Sequence, residues 1–349
     1  MHNLQLTEDQ ELIVDTVRKF VADSVAPAAQ EHDEHRAFAT NEFAGLAELG
    51  LFGLAVAEAS GGAGMGFVPF VAALEGIGEH SSSLARLWIG QVQCALALES
   101  AASSELESVV AGIEPVAFVG PEHGLRLEGG AIVGTARMVP AGAVAKRFVV
   151  AATDAGKPVL LLASGLGERK ALRGLGLASA GCANVVFAGA KMSVLAHGDG
   201  ADRAIRRAQF VAWLGTAATA VGGGFASIAA SRRHAGERIA FGKPLLAQEA
   251  VVRKLVNARH AVDAARQLVW HAARVQDLGE DATVAAVQAR LAAVDAMVFA
   301  ADEAIQIHGG FGYTVEYHVE RHYRDGKTLE VLDGGSEALR SLLAVRQFA

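Results

Sequence analysis

One long uncharged run, from Ala208 to Ala230, constrains the fold most strongly: AQFVAWLGTAATAVGGGFASIAA. The run is long enough to span a lipid bilayer, and arginines flank it on both sides. It is rich in alanine and glycine, however, and it is the only candidate span that the sequence pattern indicates. A helix that is apolar on every side is also expected at the centre of a large helical bundle. We therefore predict a buried central helix and no membrane span.

Composition excludes several classes of protein. Of the 349 residues, 52% are hydrophobic and 20% are charged, which does not fit a disordered chain. The formal net charge of -7 gives no basic surface, so we expect no nucleic-acid partner. The cysteines, Cys94 and Cys182, predict reduced thiols of a cytoplasmic protein rather than a disulfide framework. The stretch up to Phe20 predicts an amphipathic helix and lacks the apolar run of a signal peptide.

The order of patterns along the chain predicts an α+β protein in three parts. Residues 5–112 have helical spacing, and Thr7 and Gln10 form a capping-box pattern before the first helix. After Pro115, short β-branched runs separated by glycines predict strands, and long helical patterns follow them. The predicted domains are an N-terminal helical domain (1–113), a middle β domain (114–198) and a C-terminal helical bundle (199–349).

The common metal and nucleophile motifs are absent from the sequence. It contains no HExxH, CxxC or GxSxG motif, and His308, His318 and His322 lack further ligands at metal spacing. The triple glycine of VGGGF, Val221 to Phe225, lies inside a helical pattern. It therefore predicts close helix packing rather than a phosphate loop.

Two C-terminal stretches are candidates for ligand sites. In ERIAFGKP, Arg238 and Phe241 follow a long helix, and an arginine beside such a break can reach a phosphate. A solvated helix end is the alternative. In QIHGGFGYTVEYHVERHYRD, the GGFG segment is typical of a backbone nest for a pyrophosphate or a flat ring. An ordinary glycine-ended helix is the alternative there.

A third stretch, EVLDGGSEAL, places Asp333 before two glycines. Asp-Gly is a common turn dipeptide, so a turn is one interpretation. Glycines also let another molecule approach closely, so presentation of the carboxylate to a ligand as a base is the other.

These motifs resemble the acyl-CoA dehydrogenase family. The first two stretches resemble its R-x-x-FGKP and QIHGG-G-YT-EYPVER-YRD signatures, and LGLFGLAVAEASGGAGMG is similar to its N-terminal LGL-G-PE-YGG-G segment. The resemblance covers most of the chain and implies the family's fold. That fold has an N-terminal helical domain, a middle β-barrel domain and a C-terminal four-helix bundle.

The resemblance implies FAD bound between two subunits, and hence at least a dimer. Arg238 and Phe241 match contacts to the adenosine and pyrophosphate part, and Gln306, Gly309 and Gly310 match contacts from the partner subunit. Further matched positions are Gly335, Ser336 and Glu337 toward the cofactor and Gly334 toward the substrate. The family's cofactor-binding glutamine after FGKP falls on Glu249 when counted without a gap, and Gln248 beside it is the candidate for that contact.

The implied reaction removes the α and β hydrogens of an acyl-CoA thioester in fatty acid or sterol side-chain metabolism. A carboxylate takes the α proton, hydride leaves Cβ for the flavin, and electron-transfer flavoprotein or a similar acceptor reoxidises it. Counted from Arg324 and Asp325, the family's catalytic glutamate falls on Asp333, with Leu332 in place of a tyrosine. The other family position for this base has no counterpart, since Gln209 to Gly236 contains no Asp or Glu.

Departures from the family pattern concentrate in the middle domain. VGPEHGLRLEGG, Val119 to Gly130, stands where the family has a TEP-x-x-GSD loop. Met138, Val139 and Pro140 stand where a W-I-T/S stretch lies against the flavin. Contacts to the flavin ring are therefore expected to differ more than contacts to the adenosine.

Three hypotheses stay open. In the first, the chain is an acyl-CoA dehydrogenase that forms a homo-oligomer, a dimer or tetramer, and uses Asp333 as its base. In the second, it is a catalytically silent subunit of a heterotetramer and completes the FAD site of a second acyl-CoA dehydrogenase subunit. In the third, it is a flavin monooxygenase or oxidase on the same fold, which no sequence feature selects.

Overall fold

The computed structural model describes residues 6–165 and 168–348, so the first residues of the predicted N-terminal helix lie outside it. The helices are α1 Glu8–Phe20, α2 Ala26–His35, α3 Thr40–Glu48, α4 Val68–Gly78, α5 Ser82–Ser100, α6 Leu106–Val110, α7 Gly198–Glu237, α8 Glu249–Asp277, α9 Thr283–His308, α10 Val319–Leu329 and α11 Gly335–Phe348. The strands are β1 Val116–Val119, β2 Arg126–Glu128, β3 Ala131–Val133, β4 Thr135–Val139, β5 Arg147–Asp154, β6 Lys157–Ser164, β7 Glu168–Ala171, β8 Ala183–Val186, β9 Lys191–His197, β10 Ile239–Ala240 and β11 Lys243–Pro244. This order of helices, strands and helices confirms the predicted α+β architecture.

The first helix, α1, begins as the sequence predicts. The backbone N–H of Gln10 donates to Oγ1 of Thr7 at 3.3 Å, and the N–H of Thr7 donates to Oε1 of Gln10 at 3.1 Å. This reciprocal pair satisfies two of the donors that a helix start leaves open. The apolar face of α1, which includes Val14 and Val17, is buried and packs toward α4.

The middle region forms two sheets. In the larger, the strand order is β3-β2-β5-β6-β9, and β1 pairs with β5 in parallel. The smaller has the order β4-β8-β7. Phe148 of β5 and Phe187, which follows β8, meet edge to face with ring centroids 5.8 Å apart. Aromatic pairs of this kind join the two sheets through a common apolar interior.

The uncharged run lies in α7, the central helix of the C-terminal bundle. It packs against α4, α5, α8 and α9, and 83% of its most apolar window is buried. A second stretch, Thr283–Tyr313, is also long and apolar enough to cross a membrane, so α7 is not the only candidate by composition. Both stretches are core helices of the bundle, as predicted for α7.

The triple glycine of α7 allows three neighbouring elements to approach closely. A Cβ on Gly222 would overlap the backbone carbonyl of Glu75, and one on Gly223 would overlap the side chain of Met297. A Cβ on Gly224 would lie 2.7 Å from Cγ2 of Val262. The prediction of close helix packing, rather than a phosphate loop, is confirmed.

Helix α10 connects all three parts of the chain through Arg324 and Asp325, a region that we call the joint. Nη2 of Arg324 lies 2.6 Å from Oδ2 of Asp33 in α2. Oδ1 of Asp325 accepts the backbone N–H of Leu177, which precedes β8, at 2.7 Å. Gly176 packs beside them because it has no Cβ, and a Cβ there would overlap the carbonyl of Arg324.

The cysteine thiols are both free, as predicted. Cys94 of α5 is buried, and its Sγ donates a weak hydrogen bond to the carbonyl of Val116 in β1 at 3.7 Å. Burial raises the pKa of Cys94 well above its usual range and raises the pKa of Cys182 to about 11. Both groups are therefore protonated at neutral pH.

Candidate functional site

A cavity of about 330 Å³ lies where α5, the middle region and the α10–α11 connection meet. We call it the central cavity. Its lining includes Arg86, Glu122, Asp333 and Gly334 and the predicted flavin wall of Met138, Val139 and Pro140. The candidate base and the candidate ring-binding residues, far apart in sequence, therefore face the same space.

The backbone between α10 and α11 turns sharply at Asp333. Asp333, Gly334 and Gly335 have φ angles of 53°, 93° and 77°, all in the left-handed region. Glycine adopts that region without a Cβ penalty, and aspartate tolerates it better than most residues. The N–H of Gly335 donates to the carbonyl of Leu332 at 2.9 Å and closes the turn. Asp333 is thus a turn residue whose side chain lines the central cavity.

The Asp333 carboxylate is held by two helices. Nη2 of Arg86, on α5, donates to Oδ1 of Asp333 at 2.7 Å, and the Arg86 side chain is only 5% exposed. Oγ1 of Thr216, on α7, donates to Oδ2 at 3.5 Å. Nε and Nη1 of Arg86 are buried without a hydrogen-bond partner among the described residues. A buried guanidinium of this kind depends on Asp333 for its charge balance.

The backbone before Asp333 is fixed by Arg290 of α9. Nη2 of this fully buried arginine donates to the carbonyl of Leu329 at 3.0 Å and to the carbonyl of Leu332 at 2.5 Å. Burial lowers the pKa of Arg290, and the negative charge of Asp333 opposes that change. Arg290 therefore contributes a second positive charge behind the wall of the central cavity.

A second carboxylate, Glu122, reaches the central cavity from the loop between β1 and β2. Its side chain folds over Gly120 so closely that a Cβ on that glycine would overlap the carboxylate. The Glu122 side chain is 25% exposed, and Nε2 of His123 lies 3.5 Å from its Oε1. Burial, and then the charge of Asp333, raise the pKa of Glu122 to about 7. Burial also lowers the pKa of His123.

Glu122, Asp333 and Gly334 also line a neighbouring cavity of about 410 Å³, which we call the side groove. Trp213 of α7 and Leu339 of α11 form part of its apolar lining. Nε1 of Trp213 is buried without a hydrogen-bond partner among the described residues. The two carboxylates therefore form a wall shared by two spaces.

A third cavity of about 430 Å³, the peripheral cavity, lies where the end of α7 meets the end of α9. Arg238, Gly309 and Gly310 line it together with stacked His234 and His308, whose ring centroids are 4.3 Å apart. A Cβ on either glycine would meet no atom within 4 Å, so their backbone faces open space. Two sets of predicted cofactor residues thus meet within one chain.

The other predicted cofactor residues line none of these three cavities. Phe241 lies at the tip of the β10–β11 hairpin with 98% of its surface exposed. Gln248 is half-buried before α8, and Gln306 is exposed on α9. Three more residues, Gly335, Ser336 and Glu337, begin α11, where Glu337 forms an ion pair with Arg340 at 2.6 Å.

The residues present fit a flavin nucleotide. At the peripheral cavity, no hydrogen bond or ion pair within residues 6–165 and 168–348 engages the guanidinium of Arg238, and open glycine backbone lies beside it. Phosphate groups bind to such a combination. At the central cavity, Met138, Val139 and Pro140 offer a wall for a flat ring. The N–H of Met138 is already bonded to Oδ1 of Asn184 at 3.0 Å, so this wall is fixed.

Sequence reasoning missed Arg86, Glu122, Thr216 and Arg290. Arg86 and Arg290 stand as single charges in the helical runs SSSLARLWIG and VQARLAAV. Burying a charge costs free energy unless it is paired, so such an arginine indicates a buried partner. No comparable signal marks Glu122, which lies in an ordinary polar turn.

Comparison with protein families gives two matches. The model of the acyl-CoA dehydrogenase N-terminal domain matches residues 7–108, and the model of the acyl-CoA dehydrogenase C-terminal domain matches residues 198–348. The region between them contains strands β1 to β9, where the sequence departs most from the family pattern.

Individual proteins agree with these matches. The chain is 26% identical to the mitochondrial short-chain specific acyl-CoA dehydrogenase of Rattus norvegicus, over 98% of this chain and 90% of that protein. It is 26% identical to acryloyl-CoA reductase (NADH) of Anaerotignum propionicum, over 98% of this chain and 95% of that protein. The structure of butyryl-CoA dehydrogenase from Megasphaera elsdenii matches with a TM-score of 0.90 and 23% identity, and 100% of each chain is covered. This structural likeness shows the fold.

Proposed function

Because the chain belongs to the acyl-CoA dehydrogenase family, a family of oxidoreductases, we propose that it removes the α and β hydrogens of an acyl-CoA thioester, with FAD as cofactor. The observation that carries this proposal is the central cavity, where Asp333 and Glu122 face the wall of Met138 to Pro140. Proton removal beside a carbonyl needs a positioned base, and a carboxylate can serve as one. The central cavity offers two carboxylates beside that wall.

The chain's own residues would handle the α proton. FAD, when bound, supplies the acceptor for the hydride that leaves Cβ. A carboxylate oxygen in the central cavity takes the α proton, and the thioester enolate gains the electron pair of the C–H bond. Asp333 is the position predicted for this carboxylate, and Glu122 is a second carboxylate within the same lining. The positive charges of Arg86 and Arg290 keep the negative charge of this wall balanced.

The cofactor's phosphates would contact Arg238 together with the backbone of Gly309 and Gly310, since all three line the peripheral cavity. The same phosphates can therefore meet Arg238 and both glycines. Arg238 lies about 33 Å along α7 from Thr216 at the central cavity, so the ring of that cofactor would lie in the central cavity of a second copy of the chain. Phe241, Gln248 and Gln306 lie outside this cavity and would serve a cofactor that a second copy of the chain holds. The bare ring of Phe241 suits such a contact between subunits.

The proposal is tested on purified protein. We expect bound yellow flavin, anaerobic bleaching of its absorbance by an acyl-CoA, and turnover with a ferrocenium-type acceptor. Asp333→Asn is expected to slow bleaching because it removes the partner of Arg86 and one carboxylate of the cavity. Glu128→Gln, on exposed β2, is the matched control and should leave the rate unchanged. Flavin that stays yellow with acyl-CoA substrates of short, medium and long chain would contradict the proposal.

A second candidate is a silent subunit that completes the FAD site of a partner acyl-CoA dehydrogenase subunit. The 2.7 Å ion pair between Arg86 and Asp333 favours it, because it occupies the predicted position of the base. This candidate expects colourless protein when the chain is purified alone. Flavin should then appear on co-expression with a full-length second subunit, and Arg238→Ala should prevent it. A stable yellow homo-oligomer contradicts the second candidate and supports the first.

The electrons would leave to electron-transfer flavoprotein or a similar acceptor. Reoxidation of the bleached protein by such an acceptor, followed by the return of yellow absorbance, measures this step. Oxygen-dependent turnover without that acceptor would instead indicate an oxidase or monooxygenase.

A further inference from the structure

We infer that Glu122 is the carboxylate that takes the α proton, and that Asp333 is a positioning residue that holds Arg86 beside it. The inference rests on the proposed function and names the acid–base group of that same site. It moves the base from the α10–α11 turn to the loop between β1 and β2. Four observations carry it.

The first observation is that the Asp333 carboxylate is already engaged at both oxygens. Arg86 holds Oδ1 at 2.7 Å, and Thr216 donates to Oδ2 at 3.5 Å. A proton placed on Asp333 would leave the buried guanidinium of Arg86 without its anionic partner. Uncompensated buried charge of this kind is strongly destabilising. Asp333 is therefore suited to stay ionised through the reaction.

The second observation is that Asp333 has little freedom to move toward a substrate. Its backbone is held in a left-handed turn, and Arg290 bonds the carbonyl of the preceding Leu332. An aspartate side chain reaches one methylene less far than a glutamate. The position that the sequence predicts for the base thus holds a short and pinned carboxylate.

The third observation is that Glu122 is much less restrained. The one side-chain partner near its carboxylate within the described part of the chain is His123, at 3.5 Å. The longer side chain crosses the open face of Gly120, where the lack of a Cβ gives it room. It lines both the central cavity and the side groove, so a thioester in either space can meet it.

The fourth observation is the charge that surrounds Glu122. The charges of Asp333 from the α10–α11 turn, Arg86 from α5 and Arg290 from α9 act on it, and His123 of its own loop lies beside it. Further charged side chains line the same two cavities: Arg137 in the central cavity, and Asp202, Arg206 and Arg346 in the side groove. Burial and the charge of Asp333 raise the pKa of Glu122 to about 7. A general base is most effective when its pKa lies near the working pH. Asp333 thus helps to set the basicity of Glu122.

The assigned step balances without an oxidant. The α C–H bond of the thioester breaks, an O–H bond forms on Glu122, and the C–H electron pair becomes that of the enolate. The reverse step returns a proton to the α carbon. In D₂O this exchange places deuterium at the α position even when no electron acceptor is present.

The test measures α-deuterium incorporation by mass spectrometry. Holoprotein, kept anaerobic, is incubated in D₂O with butyryl-CoA and with octanoyl-CoA. Glu122→Gln is expected to lower the exchange rate by about a hundredfold or more, the scale of a lost general base. Asp333→Asn is expected to lower it less, because Glu122 remains. The control Glu128→Gln is expected to match the wild type. An Asp333→Asn loss equal to or larger than the Glu122→Gln loss overturns the inference.

The pH profile separates a positioning role from a merely structural one. The exchange rate of the wild type should rise with pH through about 7 as Glu122 loses its proton. Asp333→Asn removes a negative charge that raises this pKa, so the rise should move to lower pH. A profile that keeps its position in Asp333→Asn contradicts the assignment.

Gly120→Ala provides a second variant that leaves both carboxylates in the chain. The added Cβ would overlap the Glu122 carboxylate and displace that side chain, so exchange should fall strongly. An unchanged rate in Gly120→Ala overturns the inference. Exchange by the wild type with an equal rate in Glu122→Gln refutes the inference alone. A wild type that neither exchanges the α proton nor bleaches its flavin refutes the proposed function itself.

Discussion

Two groups of arginine and aspartate side chains differ in how many of their polar atoms are hydrogen-bonded. One is the joint within α10, and the other pairs Arg86 with Asp333, which follows α10. At the joint, Arg324 binds Asp33 and Glu320, each at 2.6 Å, and Asp325 binds the Leu177 backbone. At the central cavity, Arg86 binds Asp333, but buried nitrogens of Arg86 and of Arg290 have no hydrogen-bond partner among the described residues. Buried polar atoms are nearly always bonded, so exceptions ask for an explanation. A group whose buried polar atoms all have partners is typical of a structural role. A group with unpartnered buried polar atoms is typical of a ligand-binding or catalytic site.

The two groups also differ in charge balance. At the joint, the carboxylates of Glu320 and Asp33 both contact Arg324 and raise its pKa. At the cavity, two arginines face two carboxylates, yet only Asp333 is in an ion pair with an arginine, and the pKa of Glu122 is raised to about 7. Glu122 lines a cavity, whereas Asp325, the carboxylate of the joint that forms no ion pair with Arg324, is buried and bonded to the Leu177 N–H. The comparison therefore predicts stability effects at the joint and combined stability and activity effects at the cavity.

The largest effect should come from Arg86→Met. This change leaves the Asp333 carboxylate buried without its cation, which costs about 3–5 kcal/mol of unfolding free energy. Asp333→Asn in the same chain should recover about half of that loss, because the stranded charge is gone. Urea unfolding of the four members of the cycle measures both values. If the double variant lost as much unfolding free energy as the two single variants together, Arg86 and Asp333 would not be energetically coupled.

The next effect should come from Asp325→Ala at the joint. Its loss leaves the buried N–H of Leu177 without an acceptor, which costs about 1–3 kcal/mol of unfolding free energy. Flavin content and exchange kinetics of the folded protein should stay near those of the wild type. Asp263→Ala removes a surface ion pair with Arg259 and is the control, with a cost of about 0.5 kcal/mol or less. Equal losses in the two variants would show that the joint contributes little.

The pH dependence of stability should separate the groups further. Burial raises the pKa of Asp325 to about 6, above the value of about 4 that an unfolded chain gives it. The folded protein then holds this proton more tightly, so its stabilising contribution is full below about pH 4 and is lost as the pH rises toward about 6. Asp325→Asn should flatten this decline in chemical unfolding measured from pH 4 to pH 7. Glu122→Gln should flatten only the part that extends to about pH 7.

The smallest effect should come from Thr216→Val. The Thr216 hydroxyl lies 3.5 Å from Oδ2 of Asp333, at the outer limit of a hydrogen bond. Its removal should change the unfolding free energy by less than about 1 kcal/mol. A larger loss would mean that α7, and not only Arg86, holds the carboxylate. Thermal unfolding of this variant beside Arg86→Met ranks the two partners.

Local patterns were the part of the fold that the sequence predicted well. The Thr7–Gln10 capping box, the close packing at Gly222 and the order of helices and strands all depend on neighbouring residues or on simple periodicity. The central cavity depends on pairing across the chain, since Arg86 and Asp333 are 247 positions apart. The count from Arg324 predicted where Asp333 would lie, but no local rule indicates which side chain would meet it.

The same limit explains the cofactor residues. Arg238 and Gly309 were both predicted, yet their meeting at one cavity follows from how α7 and α9 end side by side. Glu122 lies in the short turn Pro121–His123, and only the three-dimensional path of that turn brings its carboxylate to Asp333. Predicted roles for Phe241, Gln248 and Gln306 stay predictions, because they concern contacts beyond a single chain.

The buried thiol of Cys94 can report local opening of the native protein. Its hydrogen bond to the Val116 carbonyl joins α5 to β1. The sulfur is therefore protected from solvent only while the first helical region and the sheet stay packed together. Alkylating reagents attack the thiolate, which burial suppresses here. The rate at which iodoacetamide labels Cys94 therefore measures how often the interface between α5 and β1 opens in the native protein. Binding of a cofactor or a second subunit across this interface would lower the labelling rate of Cys94 without any change in the sequence.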